Sequence, residues 1–266
     1  MTTTALLHGK SVLVTGSTSG IGWSIATQFV KAGAQVMLQG LEKESEVGHL
    51  ISQLEGLAPS ARVAYTQADL SSEKSCNHLI AHTADTLRSL DILVNNAGIQ
   101  FTSRTESYPT EKWDAVLKLN LYAPFFLSRA ALPEMYKKGW GRLVHIGSAH
   151  SLRASPNKSA YCAAKHGVLG MSKAIALEAA GRGVTSNTIC PGWVLTPLVQ
   201  KQIDNIARER GILEEEAKKL LLLEKHPAAE FVTPENLGAF AVFLSSDNAS
   251  QINGAALTMD VGWTAR

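Results

Sequence analysis

The segment running from Ser11 to Gly22 constrains the fold more than any other. It reads SVLVTGSTSGIG. A short run of buried-strand character passes directly into a glycine-rich turn, and a helical pattern follows to about Lys31. Gly16, Gly20 and Gly22 have the spacing G-x-x-x-G-x-G. Glycines let the backbone turn tightly and approach a ligand closely, and the helix start behind them offers unpaired N–H groups to an anion. A bare glycine cluster can be an ordinary turn. Placed straight after a first strand, this one reads as the phosphate cradle of a dinucleotide site.

The alternation continues along the chain. Short apolar strands are expected at 34–39, 62–66, 91–94, 141–146, 183–189 and 255–259. Helices are expected at 42–57, 72–87, from 110 through Asn120 towards Tyr136, and at 160–179, with Thr233 and Pro234 capping another that ends near Leu244. Strands alternating with helices imply an α/β fold: a single Rossmann-like domain over 1–266, its doubly wound parallel sheet flanked by helices on both faces. One stretch breaks the rhythm. After the irregular PGWVLTPLV, residues 200–224 are helical in pattern but heavily charged, and a helical lid is expected at about 196–227.

Composition narrows the class. The 266 residues are 45% apolar, enough for a substantial core, and 25 basic against 23 acidic side chains leave a net charge of +2. That balance gives no reason to expect nucleic acid or an anionic membrane as partner. Cys76, Cys162 and Cys190 form no CxxC pair and no metal-ligand spacing, so free thiols in a reducing compartment and no metal site are expected. The N-terminal MTTTALLHGK has no signal-like apolar core, and no run approaches the roughly 20 apolar residues of a membrane span. The chain reads as cytoplasmic.

The chemistry gathers at SAYCAAKHG. Tyr161 and Lys165 stand at i and i+4, which share a helix face. A cation beside a phenol favours the phenolate, so Tyr161 is the expected proton-transfer group. Ser148 lies thirteen residues upstream, just past the strand 141–146, where its hydroxyl can donate to a substrate oxygen. Asn120 sits mid-helix, a poor place for asparagine unless it bonds something. Asp69 ends the third strand and reads as an adenine partner, as a helix cap, or as both. Asn95, Ala97 and Gly98 close the fourth strand, with Asn95 either touching the nucleotide or only locking the turn. No arginine follows the second strand to pair with a 2′-phosphate, while Gln39 and Leu41 stand where an acidic residue would exclude one. The reading is NAD.

TGSTSGIG, NNAG, Ser148 and YCAAK resemble the short-chain dehydrogenase/reductase superfamily over nearly the whole chain. That resemblance implies Asn120, Ser148, Tyr161 and Lys165 as a catalytic tetrad. The implied nucleotide contacts are Gly16, Thr18, Ser19, Gly20, Ile21, Gly22, Leu41, Asp69, Leu70, Asn95, Ala97, Gly98, Tyr161, Lys165, Pro191, Gly192, Val194 and Thr196. Within the superfamily, NNAGIQ, IGSAH, NKSAYCAAKHG, CPGWVLTPLVQKQI, LLLEKHP and GWTAR look like the bacterial D-3-hydroxybutyrate dehydrogenases. This implies NAD-dependent interconversion of (R)-3-hydroxybutyrate and acetoacetate by a homotetramer. It also implies a substrate pocket of Gln100, Ser148, His150, Lys158, Tyr161 and Gln202, with Trp193 and Trp263 lining the pocket and lid. Without the resemblance, Lys158 and Gln202 read as solvated residues and the tryptophans as core or interface aromatics. Another small hydroxy acid or alcohol, or a non-catalytic dinucleotide sensor, are the competing readings; intact Tyr161 and Lys165 speak against the sensor. Two positions depart from the pattern. Phe101 stands where histidine is expected, and Val261 replaces a glycine in the C-terminal turn, where valine resists positive φ.

Overall fold

The computed structural model describes residues 6–58 and 61–265; the N-terminal reading above rests partly on residues 1–5, outside that range. Seven strands form one parallel sheet: β1 (Ser11–Val14), β2 (Gln35–Gly40), β3 (Val63–Gln67), β4 (Ile92–Asn95), β5 (Gly141–Ile146), β6 (Val184–Pro191) and β7 (Ala256–Met259). Their order is β3-β2-β1-β4-β5-β6-β7, every neighbouring pair parallel. The order reverses between β1 and β4, and a crevice opens there beyond the strand C-termini.

Strand alternation builds two cores. Val12, Val14, Val36 and Leu38 face one layer, where α1 (Gly20–Lys31), α2 (Glu44–Glu55) and α9 (Pro234–Leu244) supply Ile25, Phe29, Leu54 and Leu237. Leu13, Met37, Leu93 and Leu143 point the opposite way. They meet Leu79, Leu127 and Ile175 of α3 (Glu73–Leu87), α5 (Ala123–Lys138) and α6 (Ser159–Glu178). Because both faces are covered, the central strands are apolar throughout.

Two helical expectations change in detail. The single helix expected from residue 110 is α4 (Thr110–Leu117), a π turn at Lys118–Tyr122, then α5. The charged stretch is also two helices, α7 (Pro197–Arg210) and α8 (Glu214–Lys225), and α7 begins inside the segment read as irregular. Gly211, at φ 62°, ends α7 in the left-handed conformation that glycine adopts without steric cost. Val199, Ile203, Ala217 and Leu221 give this pair a small core of its own. No helix among the described residues is long and apolar enough to cross a membrane.

Candidate active site

A cleft of about 490 Å³ opens at the strand-order reversal. Its nucleotide half is built by the glycine turn. Gly16 and Gly20 take φ of 60° and 56°. At Gly22 a Cβ would stand 2.2 Å from the Gly16 carbonyl oxygen, so only glycine lets α1 start this close to the loop. Ser19 precedes α1 without a capping side-chain bond, leaving the first amides of the helix for an anion. These features fit a dinucleotide pyrophosphate.

Two side chains lock the turn from either side. Gln39 accepts the Gly16 N–H at 2.8 Å and donates to Ala68 O at 2.7 Å, so it holds the loop rather than facing a ribose. Asn96 donates to Thr15 O at 2.8 Å and Gly16 O at 3.1 Å, while the Thr15 hydroxyl receives the amides of Asn96 and Ala97. Of the adjacent pair Asn95 and Asn96, the one lining the cleft is therefore Asn96. Asn95 does not line it: its amide turns inward to Ser128 Oγ at 3.3 Å and His145 Nδ1 at 3.1 Å. The reason is the pleat, which sends neighbouring side chains to opposite faces. Thr18, Ser19, Ile21, Leu41, Asp69, Leu70, Ala97, Gly98, Pro191, Gly192, Val194 and Thr196 all line the cleft. Both Asp69 oxygens are engaged by Ser71, at 2.9 Å each, so this residue caps its turn. Glu42, which sequence reasoning passed over, reaches the wall beyond β2 and accepts from Thr18 Oγ1 at 2.9 Å.

The reacting half gathers Ser148, Tyr161 and Lys165 from β5 and α6. Ser148 precedes the short 3₁₀ turn Ala149–Ser151, and its Oγ accepts the His150 N–H at 3.2 Å. Lys165 is buried and donates to Ile146 O at 2.8 Å, its Nζ lying 5.5 Å from the centre of the Tyr161 ring. Burial pulls Lys165 down to about 8. Burial also pushes the Tyr161 phenol up to about 12, against hydrogen bonding with Ser148, which lowers it. The lowering expected from Lys165 is therefore not seen: burial dominates, and the only opposing influence is the hydrogen bond with Ser148.

Asn120 lies in the π turn, a form of helix recurrent at functional sites. Its Nδ2 donates to Ile99 O and Val116 O at 2.8 and 2.9 Å. Its buried Oδ1 has no partner and occupies the space a Cβ on Gly98 would need.

The far end of the cleft is aromatic and cationic. Trp193 and Trp263 stack 5.8 Å apart, and His150 meets Trp263 edge-on at 5.1 Å and Tyr161 at 5.8 Å. Lys158, just before α6, is buried with its Nζ 4.8 Å from the centre of the Trp193 ring. Gln100 and Gln202 line the same end. His150 is pulled down to about 3 by burial and by the charges of Lys158, Lys225 and His166, so it is a neutral imidazole. Of the two departures, Phe101 packs edge-on against Tyr108 at 5.6 Å and does not line the cleft. Val261 does adopt φ 52°, next to Gly262 at 85°. The Asp260 carboxylate holds this turn through the amides of Gly262 and Thr264, at 3.2 and 2.8 Å, which presents Trp263 to the cleft.

Known proteins place this geometry. The family model described as enoyl-(acyl carrier protein) reductase matches residues 16–264. The chain is 48% identical to the D-beta-hydroxybutyrate dehydrogenase of Cupriavidus necator, over 98% of this chain and 100% of that one. It is 47% identical to the protein of the same name from Rhizobium meliloti, over 97% and 99%. Among solved structures, a putative NAD(P) dependent gluconate 5-dehydrogenase from Beutenbergia cavernae, with bound NADP, superposes with a TM-score of 0.86 at 35% identity, covering 99% of this chain and 100% of that one. The glycine cradle and the full-length similarity coincide, and the chain is an oxidoreductase that belongs to the short-chain dehydrogenase/reductase family.

Proposed function

We propose that this chain interconverts (R)-3-hydroxybutyrate and acetoacetate with NAD, and that it works as a cytoplasmic homotetramer. The observation that carries the reading is one cleft holding Ser148, Tyr161 and Lys165 beside a short, aromatic-walled end that contains the Lys158 ammonium. The D-beta-hydroxybutyrate dehydrogenases of two bacteria, nearly half identical over their full length, support the substrate.

The glycine cradle of Gly16, Gly20 and Gly22 would hold NAD, which would supply the hydride acceptor for the alcohol carbon. The residues do the rest. Ser148 Oγ donates to the substrate oxygen and fixes its direction. Tyr161 takes the hydroxyl proton in oxidation and returns it in reduction. Lys165, tethered to Ile146 O, keeps further N–H groups for a sugar hydroxyl and supplies the positive charge that stabilises the phenolate as it forms. Asn120, with its unpaired buried Oδ1, holds a water that passes the proton outward. The substrate carboxylate is met by Lys158. Neutral His150, with Gln100 and Gln202, contributes hydrogen bonds rather than charge, and Trp193 and Trp263 exclude water, which strengthens every charged contact inside. The helix α7 carries Gln202, and α7 and α8 together close over the substrate as a lid.

Glu42 supports NAD. Its carboxylate stands on the wall beyond β2, where it accepts from a ribose hydroxyl and repels a 2′-phosphate. Three free cysteines suit a reducing compartment, and the exposed Tyr122 and Phe125 near and on α5 are apolar surface that subunit assembly would cover. Tyr161→Phe tests the chemistry: single-turnover rates should fall at least about a thousandfold, the usual scale for a lost general acid–base, while NADH binding stays within twofold. Near-normal turnover in that variant would remove Tyr161 from the mechanism.

A further inference from the structure

His226 is buried without exposure at the end of α8; it lies within the stretch expected as a lid but is none of the catalytic, nucleotide or substrate residues read from the sequence. Its ring bridges two backbone groups. Nε2 accepts the Trp193 N–H at 2.9 Å, and Nδ1 faces Glu230 O at 2.6 Å. An amide donor at one nitrogen and a carbonyl acceptor at the other permit a single arrangement, a neutral imidazole with its proton on Nδ1. The same ring lies 5.9 Å from Trp263, edge to face. On its other side it fills the space a Cβ on Gly192 would need, 2.3 Å from Nε2. Two further links run beside it: Val232 N donates to Trp193 O at 2.8 Å, and Val194 and Val232 form an isolated parallel bridge.

We propose that His226 is a positioning residue, clamping the chain that returns from α8 onto Gly192 and Trp193 and thereby setting the distance between the Trp193 and Trp263 rings. This deepens the reading of the cleft as a hydroxy-acid site and rests on it. The segment between Thr196 and Lys225 is bounded at one end by the Thr196 cap, whose hydroxyl accepts the Val199 N–H, and at the other by this imidazole. His226 thus fixes the C-terminal post of the α7–α8 unit in the same place as the aromatic wall. No proton transfer is assigned to it, since both nitrogens are committed to backbone partners.

Two substitutions separate the clamp from mere bulk. His226→Phe keeps a ring against Trp263 and removes both bonds. His226→Gln restores an acceptor for Trp193 N–H and a donor for Glu230 O on one amide. With acetoacetate and NADH, His226→Phe is expected to raise KM about tenfold, the scale of one lost hydrogen bond to the wall, with kcat and NADH affinity within threefold. His226→Gln should return KM to within threefold of the parent chain. An unchanged KM in the Phe variant, or equal damage in a folded Gln variant, would overturn the proposal. Two readouts need no turnover, so failure of the substrate reading is distinguishable from failure of the clamp. Hydrogen exchange at the Trp193 amide should accelerate at least tenfold in His226→Phe and stay slow in His226→Gln. In the unaltered protein, ¹⁵N shifts of His226 should report a protonated Nδ1 and a bare Nε2; the opposite tautomer would overturn the clamp even if His226→Phe does not fold.

Discussion

Buried histidines set how single residues answer to acid. His145 lies under the sheet's C-terminal edge, bonded to Asn95 and Ser186, and burial, with the charge of Lys165, pulls it from 6.5 to about 4. An unfolded histidine takes up its proton near 6.5, so between there and about 4 the unfolded chain binds more protons and stability falls as pH drops. His145 alone contributes on the order of 3 kcal/mol to that slope, and His150 adds in the same direction. Denaturation midpoints at pH 7 and pH 5 should therefore differ strongly in the parent chain and less in His145→Gln; equal differences would contradict the assignment. Val261 is a second single-residue case. A β-branched side chain at φ 52° carries a steric cost that glycine lacks. Val261→Gly is expected to stabilise the chain by ~1 kcal/mol, after glycine's own entropic cost, with a higher Tm as the readout. A lower Tm would mean valine packing outweighs the strain. This position was legible only through the resemblance, which implies a glycine there; valine by itself does not announce a positive φ. The Tyr161 pKa was not legible: i and i+4 spacing shows that a lysine shares the face, while the desolvation that dominates comes from the cleft walls, contributed by residues far away in the sequence.

Elements carry their information at their ends. The strand β2 delivers Gln39 inward to the glycine loop and Glu42, past its last residue, to the cleft wall. Inspection of the strand's tip alone found Gln39 and Leu41 and no acid, because the turn that brings Glu42 back to Thr18 is a tertiary event. Glu42→Arg should replace repulsion with a charge-assisted partner for a 2′-phosphate and shift the NADP-to-NAD ratio of kcat/KM upward by at least about tenfold. A ratio left unchanged would place the discriminating group elsewhere. The π turn at Lys118–Tyr122 has the same lesson. Helical periodicity ran through it, yet the one residue out of character, Asn120, marked where the ladder is interrupted. Likewise the charged stretch reads as helical throughout, and it is Gly211, with its φ of 62°, that divides α7 from α8.

At the scale of the whole molecule, the parallel sheet assembles one site from residues more than two hundred positions apart. Glycine loop, tetrad and C-terminal Trp263 meet because all of them lie beyond the C-terminal ends of strands in a single sheet. The strand and helix rhythm was enough to expect that architecture, since each apolar run and each turn signal is local. The clamp at His226 was not legible. Its partners are backbone groups of Trp193 and Glu230, and no motif records which carbonyl a distant loop will present. The most direct test of the proposed reaction is absorbance at 340 nm with the purified protein, NAD or NADP, and each enantiomer of 3-hydroxybutyrate in turn. Rapid NADH formation is expected from the R enantiomer, at least about a hundredfold faster than from the S enantiomer and than with NADP. Absence of signal with the R enantiomer and NAD, while another small hydroxy acid or alcohol is turned over, would contradict it.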